Sequence, residues 1–98
     1  MDILGTLQFN KDKPATLVVS SSDKHLTIAI GLMKGQLLNK HLSATPAMIV
    51  LLKGRILFEM EGVITEMREL NTIQIPAAVP HEVTGLEQSI FLLIKDKV

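Results

Sequence analysis

What most restricts the fold of this chain is a succession of short segments in which apolar residues recur at every second position. Leu26, Ile28, Ile30 and Leu32 alternate with Thr27, Ala29 and Gly31, and a period of two sends the two sets to opposite faces of a strand. Runs rich in branched side chains, which suit a pleated and half-buried surface, recur at 16–20, 36–42, 47–52, 55–60, 72–75 and 89–94. Breaks fall at 10–14, 20–24, 43–46, 76–80 and 85–88, none long enough to be a linker. Lys53-Gly54 and Glu61-Gly62 are two-residue breaks ending in Gly between apolar runs, the spacing of tight hairpins. Val63, Met67 and Leu70 fall at i, i+4 and i+7, a helical spacing, but the preceding Gly62 turn and the lack of a capping residue favour a strand. Short strands at intervals of about 8 to 12 residues predict an all-β sandwich or barrel, with residues 1–98 as a single domain.

Thirty-two of the 98 residues are Leu, Ile or Val, enough to fill one core. A hydrophobic content of 47% and a mean hydropathy of +0.34 are high for so short a chain, whose surface is large relative to its volume. The excess predicts that a second copy covers part of the surface, giving a homodimer. Ten basic and ten acidic residues are scattered without runs, and three Phe stand with no Tyr or Trp, so neither the basic stripe nor the stacking platform of a nucleic-acid domain is present. Cys is absent, which removes disulfides, thiolate nucleophiles and Cys-based zinc sites. The longest aliphatic run, 47–52, is far below the roughly 20 residues of a membrane span. Residues 1–9 lack the basic start and apolar stretch of a secretory signal, so a cytoplasmic protein is expected. The motifs GxSxG, the P-loop and GxGxxG are also missing, which removes the usual anchors of acyl transfer and nucleotide binding.

From 35 to 85 the spacing resembles the two motifs of the cupin superfamily. Gly35 is followed by five residues and His41, and Gly54 closes the first motif at the family distance; Ser43 and Ala47 stand where the second His and the Glu belong. In the second motif Pro76 and His81 are kept, while Leu70, Ala78 and Gly85 replace Gly, Gly and Asn. The resemblance implies a small antiparallel double-stranded β-helix, or jelly-roll barrel, and a tendency to pair as dimers. It also implies a metal held by three His and one Glu, of which only His41 and His81 are carried over.

Residues two apart on a strand share a face, so His41 and Ser43 are expected to project together, into the barrel if the resemblance holds, with His81 entering from a neighbouring strand. Phe58, Met48 and Val83 complete the expected pocket as apolar lining. Two imidazoles fall short of the three protein ligands that zinc and iron sites ordinarily use. Glu59, Glu82 and His25 are the residue types available as a third donor, and no spacing selects one. His25, after Asp23 and Lys24, reads as a solvated turn residue. Met33, Met48, Met60 and Met67 read as core filler, and Glu59, Glu61, Glu66 and Glu69 as a solvated strand face. The leading expectation is a small-molecule-binding or structural cupin with no tightly held metal or other cofactor. One alternative is a metal-dependent oxygenase or isomerase using His41 and His81. Another is a ligand-sensing or interaction module.

Overall fold

A computed structural model describes residues 1–97. A single helical turn, α1 (Ile3–Thr6), is followed by nine strands: β1 (Ala15–Ser21), β2 (His25–Leu32), β3 (Leu37–His41), β4 (Ala47–Lys53), β5 (Ile56–Met60), β6 (Val63–Met67), β7 (Thr72–Ile75), β8 (His81–Gly85) and β9 (Ser89–Asp96). They form two antiparallel sheets, ordered β1-β2-β9-β4-β7 and β3-β8-β5-β6. Both sheets turn one face to a shared core that includes Ile30, Ile49, Leu51, Ile56, Phe58, Val83 and Phe91. The all-β reading is therefore correct. No helix among the described residues is long and apolar enough to cross a membrane.

The period of two maps directly onto these faces. In β4, Ala47, Ile49 and Leu51 are buried between the sheets while Met48, Val50 and Leu52 face outward. Each fully buried aliphatic side chain contributes about 1.5 to 3 kcal/mol relative to exposure, so a one-residue slip of any strand would be heavily disfavoured. A second cluster lies on the outer face of the five-stranded sheet, where Leu7, Ile3 and Phe9 of the N-terminal segment pack with Ala29 and Ile90. Nothing in the local pattern predicts α1, a single turn without a side-chain cap.

Of the two expected hairpins, one forms. Glu61 (φ 52°) and Gly62 (φ 78°) make a two-residue turn that pairs Met60 with Val63 and joins β5 to β6; positive φ at both positions matches the twist of paired strands. Residues 63–67 are accordingly a strand. Lys53-Gly54 instead carries the chain from the five-stranded sheet to the four-stranded one, because β4 and β5 lie in different sheets. A glycine break marks a change of direction, and whether the flanking strands pair depends on partners distant in sequence. β8 sits inside the four-stranded sheet between β3 and β5, although Val83 is its only large apolar side chain, which is why it does not stand out as an apolar run.

Candidate functional site

The site is built on the inner face of the four-stranded sheet. His41 of β3 and His81 of β8 are direct cross-strand partners, and Met60 of β5 is the partner of His81 on its other side. A register shift between Leu38 and His41 lets both residues, three apart, face the interior. Without it one would point to solvent. The imidazole rings meet edge to face with centroids 4.2 Å apart. The Phe58 ring stacks on His81 at 5.7 Å, with an interplanar angle of 25°.

Hydrogen bonding sets the tautomer of each ring. His41 Nδ1 lies 2.8 Å from the Asn39 carbonyl oxygen, and His81 Nδ1 lies 3.1 Å from that of Val79. A carbonyl oxygen only accepts, so each Nδ1 carries a proton, and in the uncharged ring Nε2 is then left with a lone pair. His81 is 2% exposed. Among the described residues its Nε2 is the buried side-chain polar atom that has no partner. Burial pushes the His81 pKa below its ordinary value of 6.5; the Val79 carbonyl opposes this and the neighbouring His41 adds to it. At neutral pH the ring is an uncharged acceptor.

This has a consequence for stability. A histidine whose folded pKa lies below its unfolded value takes up its proton more readily in the unfolded chain, so acidification through 6.5 favours unfolding until the folded pKa is also passed. Urea midpoints should fall between pH 7.5 and 5.5, and His81→Leu should flatten that slope. The same variant removes an unpaired buried nitrogen and should keep the neutral-pH stability within about 1 kcal/mol of the parent. A slope unchanged in His81→Leu would show that another group controls the acid limb.

The other expected site residues divide between the interior and elsewhere. Phe58 and Val83 are buried on the inner face. Ser43 lies beyond the end of β3. The strand ends at His41, and the Ser43 hydroxyl lies 3.3 Å from Thr45 Oγ1 and accepts the Thr45 N–H. Its carbonyl accepts the Ala78 N–H, so the residue ties two loops together. Met48 is not in the pocket either: with Ala47 and Ile49 inward it must face outward, where its sulfur accepts Gln74 Nε2 at 3.4 Å. Glu59 and Glu82 are cross-strand partners on the solvent side of the four-stranded sheet. A hydrogen bond to the Glu59 carboxylate, partial burial and the adjacent negative charge hold the Glu82 carboxyl above its usual range, against the pull of Lys40. His25, exposed at the start of β2, lies 3.0 Å from Asp96. None of the three candidate third donors reaches the imidazole pair.

Met60 is the residue that sequence reading assigned to core filling and that the structure puts beside His81. Its parity with Phe58 is the signal that could have found it. It also lines a recess of about 160 Å³ with Lys40, Glu59, Glu61, Gly62 and Pro80, which neither imidazole lines. Larger clefts, of about 340 and 450 Å³, lie beneath α1 beside Leu4 and Lys53, far from this chemistry.

No protein-family model matches the sequence, and no curated protein matches it. Solved structures do match. The chain superposes on a conserved protein of unknown function from Streptococcus pyogenes, SPY1581, at 23% identity and a TM-score of 0.86, covering 100% of this chain and 86% of that one. A cupin superfamily protein from Desulfitobacterium hafniense gives 11% identity and 0.90, with 100% and 90% covered. An RmlC-like cupin from Desulfovibrio desulfuricans gives 19% and 0.90, with 98% and 93% covered. This chain has the cupin fold.

The metal set of three His and one Glu that cupin motifs imply does not fit these residues. His41 and His81 offer two nitrogens, Ser43 is engaged by Thr45, and Ala47 presents a methyl buried in the core. No group of three or more His, Cys, Asp or Glu able to hold a metal ion occurs among the described residues. What this chain offers in that place is a pair of imidazoles, His81 an uncharged acceptor at neutral pH, against an aromatic ring and a thioether.

Proposed function

We propose that this cupin binds a small hydroxylated or amide-bearing molecule in the mouth of its barrel, with His81 and His41 as hydrogen-bond acceptors and no tightly held metal. The observation that carries the reading is the unpartnered His81 Nε2. A buried polar atom without a partner costs about 1 to 3 kcal/mol, and that cost is recovered when a ligand supplies the missing donor. The lone pair selects the ligand chemistry. An O–H or N–H group suits it, whereas an anion without a donor would face the His81 lone pair. Phe58 and Met60 add apolar surface for a short carbon skeleton.

Titration of the protein with small polyols and amides, followed by the ¹⁵N signals of the imidazoles, tests this. Binding should shift His81 Nε2 before other sites. His81→Leu should weaken affinity about 10- to 100-fold, the range expected for one lost hydrogen bond in a buried site. Stoichiometric zinc, iron, nickel or manganese in purified protein, lost on His41→Ala, would overturn the proposal, as would a ligand whose affinity is indifferent to His81→Leu.

A further inference from the structure

We infer that the cleft under α1, on the outer side of the five-stranded sheet, is a second binding site, one for a free α-amino acid with an aliphatic side chain. The cleft measures about 340 Å³ and is lined by Ile3 and Leu4 of α1, Leu52 and Lys53 of β4, Ile90 of β9, and Glu69. Ile3, Leu4, Leu52 and Ile90 make it apolar, and Lys53 and Glu69 add one charge of each sign. The β4–β9 register explains how two adjacent residues of one strand come to share it. Pairing shifts between Leu51 and Lys53, so that Lys53 lies opposite Ile90, and an irregularity of this kind re-aims side chains at a strand end.

Neither charge is neutralised within the chain. The ion pairs among the described residues join His25 to Asp96, Arg55 to Glu66 and Glu87, and Arg68 to Glu66; Lys53 and Glu69 take part in none, with each other or with a third group. Glu69 is nevertheless fixed. One of its carboxylate oxygens accepts the Gly54 N–H at 3.1 Å. Its turn is tied to β4 by the Leu70 N–H on the Leu51 carbonyl at 2.7 Å and the Leu51 N–H on the Asn71 carbonyl at 3.0 Å. Leu70 closes that turn in the left-handed region, with φ 68°, which few residues other than glycine adopt. A carboxylate has about four acceptor positions, so the bond from Gly54 leaves Glu69 able to receive an ammonium group.

Charge complementarity selects the occupant. A fatty acid would satisfy Lys53 but set its carboxylate beside Glu69, and an aliphatic amine would satisfy Glu69 but face Lys53. An α-amino acid carries both signs on one carbon. Its carboxylate can meet the Lys53 ammonium and its ammonium the Glu69 carboxylate, which leaves the side chain to lie on Leu52 and Ile90. Leu4 is 62% exposed on a helical turn that buries no residue, and an aliphatic side chain in the cleft would cover it. Ile3, Leu52 and Ile90 belong to the cluster outside the five-stranded sheet, whereas Phe58 and Val83 lie in the core between the sheets. The five-stranded sheet therefore separates this cleft from the imidazole pair.

Titration of the full chain with L-leucine, followed by the methyl signals of Leu52 and Ile90, reads the site directly. Both methyl sets should shift with leucine while the His41 and His81 ring signals stay in place. 4-Methylpentanoate lacks the ammonium and 3-methylbutylamine lacks the carboxylate; each should bind about tenfold more weakly than leucine, the order of one lost hydrogen bond to a charged group. Lys53→Ala and Glu69→Gln should each weaken leucine binding by a similar factor. Lys53 and Glu69 are both exposed, and the Gln amide oxygen still accepts the Gly54 N–H, so both variants keep the fold. No methyl shift at millimolar leucine, equal affinity for leucine and 4-methylpentanoate, full affinity in either charge variant, or shifts confined to the imidazoles would each refute the assignment.

Discussion

Replacing Phe58 by Ala is expected to lower the unfolding free energy by about 3 to 5 kcal/mol, the range for truncating a large aromatic in a packed core. Phe58 is 2% exposed, belongs to the central cluster between the sheets, and covers the His81 ring. Small domains have about 5 to 15 kcal/mol in total, so this one change would remove a third or more of a typical reserve. It also reaches the site. The cavity left beside His81 admits water, the desolvation that depresses the imidazole weakens, and the His81 pKa should move back up towards 6.5. Urea unfolding gives the stability change and ¹⁵N titration gives the pKa. Leu57→Ala is the matched control: its neighbour in β5 points the other way and is only half-buried, so its cost should stay near or below 1 kcal/mol. Similar losses for the two variants would contradict the inner and outer assignment of β5.

Gly54→Ala should be the second most damaging change, at about 3 kcal/mol or more. Gly54 has φ +90°, a conformation that costs a residue with a Cβ about 1 to 3 kcal/mol by itself. The new methyl would also fall 2.5 Å from the Gln88 carbonyl oxygen and 2.8 Å from Ser89 Cα, and would collide with Ser89 Oγ. That hydroxyl is buried, accepts the Arg55 N–H at 3.0 Å, and lies within donating distance of the Arg55 and Glu87 carbonyls. Displacing it leaves these backbone groups short of a partner at the point where the chain crosses between sheets. Gly62→Ala separates the two contributions, because Gly62 also has positive φ (78°) but an added methyl there meets nothing within 4 Å. The difference in melting free energy between the variants measures the crowding at Gly54. Equal losses would mean that backbone conformation alone sets the cost.

The candidate site was legible to different depths. The distance from His41 to His81 and the Pro76 and Gly54 positions pointed to two imidazoles meeting in a barrel, and they meet with centroids 4.2 Å apart. For Ser43 the parity argument has no strand to stand on, because β3 stops at His41, and its hydroxyl is taken up by Thr45. It failed for Met48 because the face of a single strand cannot be named inward or outward from its own alternation when both sets are apolar, as in β4. Met60 was overlooked for the converse reason: a thioether in an apolar strand looks like filler until its cross-strand partner is known to be His81.

Alternation, turn chemistry and motif spacing were sufficient for an all-β domain, for most of the strands and for the β5–β6 hairpin, because each depends on residues within a few positions of one another. Pairing of distant strands, the register shift that swings His41 inward, and the burial that strips His81 Nε2 of partners depend on segments some 40 residues apart being pressed together. Such contacts are set by the summed burial of the whole core and leave little trace in any short window. The third-donor question shows the division most clearly. Glu59, Glu82 and His25 are equivalent candidates along the chain, and only the assembled sheets turn the two carboxylates to the solvent side and leave His25 exposed beside Asp96.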